Sequence, residues 1–233
     1  MNIQILQLIE GAKAARGLTV IIDVFRAFSV EAYLFAQGAE RIIPVGDAEL
    51  AYGLKKENPQ FILAGERHGK ILPDFDMGNS PSQNILIDVN GQTVVHTTSA
   101  GTQGIANAIY ADEILGCSLV NARATAEYIR KSGAEKVSLV CMGLEALVPT
   151  EEDTLCARYI KNLLENKPFD LPLEIEKLKY TSGAKFFNPK QKDVFPKGDF
   201  AMCTDADRFD FVLKLVKPQE GMPYMTRQSV DFF

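Results

Sequence analysis

Two stretches of the chain gather acidic and basic side chains beside glycine. One is Asp23-Val24-Phe25-Arg26-Ala27-Phe28-Ser29; the other is Gly65-Glu66-Arg67-His68-Gly69, running on to Asp74-Phe75-Asp76-Met77-Gly78-Asn79-Ser80-Pro81. Carboxylates suit a hard, oxygen-liganded cation, magnesium first, and arginine forks suit phosphate or sulfonate. Their pairing predicts a metal-assisted site for an anionic metabolite. Asp23 follows an apolar run over residues 18–22, so it is expected to be buried. A buried carboxylate costs several kcal/mol unless it is paired or metal-bound.

Other stretches can add to such a site. Phe75 and Met77 alternate with the carboxylates, which predicts Asp74, Asp76 and Gly78 on one side and the apolar pair in the core. Thr97-Thr-Ser-Ala-Gly-Thr102 precedes a helical pattern and offers hydroxyls (Ser99, Thr102) and backbone N–H groups, Gly101 included, to an anion. Glu151, Glu152 and Asp153 open another helix, where acidic residues serve as caps or as a further carboxylate source; Glu145 is a further candidate. His68 adjoins Arg67 and is placed to touch the anion, whereas His96, beside Val94 and Val95, reads as structural. Two unrelated histidines and four scattered cysteines do not make a zinc site. Phe25 occupies the position of the second aspartate in the Asp-x-Asp of haloacid dehalogenase phosphatases, so an aspartyl-phosphate mechanism is a poor fit. Cys141 ends an apolar strand and is the candidate for a thiol nucleophile.

The elements that must position these groups alternate. Apolar runs at residues 18–22, 41–45, 61–64, 93–97, 113–119 and 136–142 read as strands. Helical patterns lie between them: one capped by Ser29 and stopping at Gly38, one capped by Asp47 and ending before Pro59, one capped by Asn121 and closed by Gly133, and one after the capping-box spacing at Thr150. Such alternation predicts a three-layer α/β/α fold with a mixed, largely parallel sheet. Asn90-Gly91 predicts a hairpin between residues 85–89 and 92–96. A single α/β domain is expected, with residues 1–166 carrying the motifs and residues 167–233 as an irregular part packed on it.

The chain has 233 residues, 46% hydrophobic and 24% charged, with net charge -5. That balance gives no support for nucleic acid as a partner. The start lacks a cationic n-region and a cleavage site, and no apolar stretch approaches the roughly 18 residues of a membrane span. A cytoplasmic protein with reduced thiols and no membrane partner is expected.

Taken together, Val20-Ile-Ile-Asp-Val-Phe-Arg-Ala27 with Ser29, Gly65-Glu-Arg67 with Gly69, Phe75-Asp76 with Gly78-Asn79-Ser80-Pro81, Thr97-Thr98 with Gly101-Thr102, Asn121-Ala122, and Glu152-Asp153 with Cys156-Ala157 resemble the 2-phosphosulfolactate phosphatases of coenzyme M biosynthesis. The resemblance covers residues 15–165. It implies an α/β fold, a magnesium requirement, a homo-oligomer, and hydrolysis of the phosphate ester of a 2-hydroxy acid to 3-sulfolactate and phosphate. On that reading Asp23 and Asp76, with Glu152 or Asp153, hold the metal. Arg26 and Arg67 grip the phosphate and a second acidic group. Glu66 orients Arg67 or acts as general base, and His68, Asn79, Ser80, Ser99, Gly101 and Thr102 contact the small anionic phosphoester. The chain departs from the family's usual pattern at Phe28, Asp74, Ala100 and Gln103. Two other readings stand beside this one: an isochorismatase-like hydrolase using Cys141 with Asp23 as base, and a non-catalytic binder of a phosphorylated metabolite.

Overall fold

The computed structural model describes residues 1–231. Among them ten strands form one sheet: β1 (Asn2–Gln7), β2 (Gly17–Ile22), β3 (Arg41–Pro44), β4 (Ile62–Arg67), β5 (Lys70–Ile71), β6 (Thr93–Thr97), β7 (Ala111–Cys117), β8 (Lys136–Cys141), β9 (Phe211–Val216) and β10 (Tyr224–Ser229). Their order is β1-β8-β2-β7-β9-β10-β3-β6-β4-β5. Two parallel blocks, β1-β8-β2-β7 and β3-β6-β4, are joined through the antiparallel pair β9-β10. The fold is therefore the expected three-layer α/β/α arrangement with a mixed sheet.

The alternation of each strand sorts side chains between two faces. Ile21 of β2 joins the core under α1 (Leu8–Ala14), α2 (Ala27–Ala36) and α5 (Gly101–Asn107), while Val20 and Ile22 join the core under α6 (Ala122–Ser132) and α7 (Glu151–Leu164). At the far block, Ile43, Leu63 and Val95 pack beneath α3 (Ala48–Glu57). β2 is buried along its whole length, as its continuous apolar run requires. The remaining helices are α4 (Pro81–Asn84), α8 (Leu171–Leu178) and α9 (Lys197–Cys203). Among the described residues no helix is long and apolar enough to cross a membrane.

Four local expectations, one hairpin and three helix caps, are corrected. The hairpin at Asn90-Gly91 is not formed: Gly91 sits in a turn with φ 69, but β6 pairs in parallel with β3 on one side and β4 on the other, leaving no edge for residues 85–89. The antiparallel pairing lies in β9 and β10 instead, so the C-terminal part supplies the strands that join the two halves of the sheet. Ser29 does not cap α2; it lies inside the helix, its hydroxyl donating to the Val24 carbonyl, and Asp23 takes the capping role by accepting from the Ala27 N–H. Thr150 and Asn121 make no side-chain cap to α7 and α6, whereas Asp47 does cap α3.

Candidate active site

The carboxyl ends of β2, β4, β6 and β8 open onto one cavity of about 110 Å³, the place where open α/β sheets bind ligands. Asp23, Arg26, Glu66, Ser99 and Glu152 face it together, with His68, Asn79 and Lys185 on its wall. Such a volume suits a small polar molecule rather than a drug-sized one.

Asp23 leaves β2 and is 5% exposed. Its Oδ1 accepts the Ala27 N–H at 3.1 Å. A Cβ at Gly101 would lie 3.0 Å from Asp23 Oδ2 and 2.7 Å from the Ala27 Cβ, so glycine there lets the loop before α5 reach the carboxylate. Burial lifts the Asp23 pKa to about 6 against the pull of that hydrogen bond, and the charges of Glu66 and Glu152 add to the rise. Burial likewise raises Glu152, on the first turn of α7, and the Lys185 ammonium offsets part of the rise. Glu152 Oε2 is buried without a hydrogen bond, and so is Ser99 Oγ. Both atoms belong to residues that line the cavity, where a bound ligand would complete their hydrogen bonds.

Glu66 fixes the walls. Its Oε1 accepts the Ser99 N–H at 2.8 Å and its Oε2 the Gly69 N–H at 2.7 Å. The second bond is possible because His68 and Gly69 form a two-residue hairpin loop between β4 and β5, both with positive φ (54 and 75), the pattern of a type I′ turn. His68 at its tip meets Glu145 from the loop after β8, Nδ1 to Oε1 at 2.7 Å. Beneath the cavity Asn79 Oδ1 lies 3.3 Å from His96 Nε2, and His96 Nδ1 lies 2.9 Å from Glu31 Oε1, with His96 and Glu31 fully buried. The structural role expected of His96 agrees with this placement.

Arg26 is held harder than its sequence suggests. Its Nη1 donates to Asp199 Oδ2 at 2.5 Å and to the Val194 carbonyl, and its Nη2 donates to the Gly69 carbonyl. Asp199 is fully buried and also accepts from Ser80, Ser82 and the Ser82 N–H.

Several expected contributors lie elsewhere. Arg67 follows Glu66 on β4, so alternation turns it to the other face of the sheet, where it donates to the Glu66 and Gly46 carbonyls and to Thr97 Oγ1. Asp76 alternates with buried Phe75 and Met77 as expected, but its side faces partly into solvent, and Oδ2 accepts from the Leu63 N–H and Lys55. Asp153 spends both oxygens on backbone, accepting from Val24 and Gly143 and so tying the end of β2 to the loop after β8. Ser80 is engaged by Asp199, and Thr102 bonds back to Thr98. Lys185, Asp199 and Phe195 were not anticipated; they come from a Pro-broken segment without periodicity, and no local pattern marks them.

Cys141 is fully buried, its thiol donating to the Asp153 carbonyl, and burial pushes its pKa up, away from a reactive thiolate. All four cysteines are buried. Ellman's reagent is expected to label none of them in the native protein, and Cys141→Ala to keep kcat/KM within about twofold. Rapid labelling with loss of activity would restore the thiol mechanism.

Among the described residues no three His, Cys, Asp or Glu side chains converge closely enough to hold a metal ion unaided. Magnesium characteristically uses one or two carboxylates and completes its shell with water and substrate phosphate. Asp23 and Glu152, buried oxygen donors facing one cavity with Glu152 Oε2 unpaired, fit that chemistry.

An open α/β sheet with an acid-lined cavity at its strand ends defines a small-ligand enzyme fold, and the comparison with known proteins narrows it. The chain belongs to the 2-phosphosulpholactate phosphatase family, phosphoric monoester hydrolases, whose profile it matches over residues 3–218. It is 31% identical to a "Probable 2-phosphosulfolactate phosphatase" of Bacillus subtilis (strain 168), covering 97% of this chain and 99% of that one. A protein of the same description from Caldanaerobacter subterraneus subsp. tengcongensis is 32% identical over 91% of each chain. One from Caldicellulosiruptor saccharolyticus is 40% identical over 64% of this chain and 63% of its own.

Proposed function

We propose that the protein is a magnesium-dependent phosphatase that hydrolyses the phosphate ester of a small, multiply acidic metabolite of the 2-phosphosulfolactate kind. The observation that carries this is the meeting of Asp23, Glu66 and Glu152 with Arg26 and two unpaired buried oxygens in one small cavity. Asp23 and Glu152 would hold the ion, which when bound neutralises phosphoryl charge and acidifies a water.

The chain's own groups do the positioning that dominates phosphoryl transfer. Arg26 keeps an Nε donor and one Nη2 donor without a protein acceptor among the described residues, and these meet phosphoryl oxygens. Asp199 stops that guanidinium from swinging away. Ser99 Oγ and the Asn79 amide add neutral contacts. Glu66 acts as a positioning residue, holding Ser99 and Gly69 at fixed distance across the cavity. The rings of Phe25 and Phe195 close the wall and exclude bulk water. Water adds to phosphorus, the ester P–O bond breaks, and the 2-hydroxy acid leaves with a proton.

Phosphate release from 2-phosphosulfolactate, 2-phospholactate and glycerol phosphate, with magnesium and with EDTA, tests the reading. Release from the acidic esters only with magnesium is expected, with EDTA lowering the rate at least about a hundredfold. Tight ester binding without phosphate release would make the protein a binder, and EDTA-insensitive release would remove the metal from the reaction.

A further inference from the structure

The cavity holds two cations, and only one is in a direct ion pair; the other, Lys185, feels the Glu152 carboxylate across the cavity without touching it. Arg26 is neutralised by Asp199 in a pair in which both partners are buried. Lys185, on the 3₁₀ turn Ala184–Phe187, is half-buried, and no hydrogen bond or ion pair engages its ammonium among the described residues. Rings surround it instead: its Nζ lies 5.7 Å from the centroid of Phe25, 5.5 Å from Phe186 and 5.2 Å from Phe195. Phe186 packs edge-on to both others, at 4.9 and 5.9 Å between centroids.

Three ring faces attract a cation and limit its hydration, yet accept none of its conventional hydrogen bonds. The ammonium is thus held among the rings at the wall of the cavity, with N–H donors that no protein acceptor among the described residues takes up. Arg67, the residue expected to grip a second acidic group, faces away, so among the cavity's cations Lys185 alone is available. The two cations also differ in kind: the planar fork of Arg26 suits phosphoryl oxygens, and a compact ammonium suits any further anion without demanding its orientation. Resting on the phosphatase reading, we propose that Lys185, held in its cage of Phe25, Phe186 and Phe195, is the specificity-determining residue that binds a sulfonate carried by the substrate beside its phosphate ester.

The experiment compares kcat/KM for 2-phosphosulfolactate with that for 2-phospholactate, which lacks the sulfonate, in wild type, Lys185→Met and Lys185→Arg. Lys185→Met is expected to lower the ratio of the two at least about tenfold, and Lys185→Arg to restore part of it. An equal fall for both esters would mean that Lys185 only balances the charge of Glu152, and would overturn the proposal, as would an unchanged ratio. If wild type releases phosphate from neither ester, the phosphatase reading fails by itself. Calorimetric binding of 3-sulfolactate against lactate then decides the role of Lys185: a preference for the sulfonate lost in Lys185→Met supports it, and a preference retained overturns it.

Discussion

Asp23→Asn is expected to lower kcat by at least about a thousandfold while making the metal-free protein more stable at pH 7.5. The activity loss follows from removing the charge that anchors the cation. The stability gain follows from burial. The folded pKa of Asp23 is about 6 against 3.8 for the free side chain, so the folded state holds the proton more tightly than the unfolded chain. Stability therefore falls as pH rises between these two values, by about 3 kcal/mol once Asp23 is fully ionised, at 1.36 kcal/mol per unit. Asn carries no such charge. In EDTA its melting temperature is expected to exceed that of wild type by about 5–10 °C at pH 7.5, and the gap to close toward pH 4. Magnesium should raise the melting temperature of wild type and leave Asp23→Asn unmoved. A variant that melts below wild type at pH 7.5 would mean that the buried charge is already compensated within the protein.

Asp199→Ala carries the second large effect, this time on stability and activity together. It strips Arg26 of its counter-ion where the two side chains are 3% and 0% exposed, and it leaves the Ser80 and Ser82 hydroxyls without their acceptor. Losing one partner of a buried pair typically costs about 3–5 kcal/mol, or roughly 10 °C in melting temperature for a chain of this size. Catalysis should also fall, because the guanidinium is then held only by the Val194 and Gly69 carbonyls. The double variant Arg26→Met with Asp199→Leu separates the two roles: melting temperature should recover while phosphate release stays absent. Thermal scans and phosphate assays on wild type and the two variants check this. Full activity in Asp199→Ala would show that Arg26 needs no fixing.

The parts of the fold that were legible in the sequence are those whose burial is two-sided. β2, β6 and β8 are buried along their length, save Lys136 at the start of β8, and carry continuous apolar pairs or runs because a parallel strand between neighbours has no wet face. β10 was not legible: Thr226, Arg227, Gln228 and Ser229 are polar and mostly exposed, and the strand is held by pairing with β9 rather than by its own hydrophobicity. Asn90-Gly91 is a turn, yet turn chemistry cannot say which strands the flanking residues will meet. Of the residues lining the cavity, Asp23, Arg26, Glu66 and Glu152 are ones that type and position in the sequence single out. Arg67 and Asp76 were grouped with them because the motif is contiguous, although the alternation of β4 already sends Glu66 and Arg67 to opposite faces. Asp199 reaches Arg26, and Lys185 the cavity, from far along the chain, where nothing in the local sequence marks them.

Manganese binding followed by EPR, with Mn²⁺ in place of magnesium, tests most directly whether Asp23 and Glu152 form one cation centre from which Asp76 is excluded. Wild type and Asp76→Asn are predicted to bind one ion with the same affinity, and Asp23→Asn and Glu152→Gln at least about tenfold more weakly. Binding that survives in Asp23→Asn and disappears in Asp76→Asn would contradict the assignment.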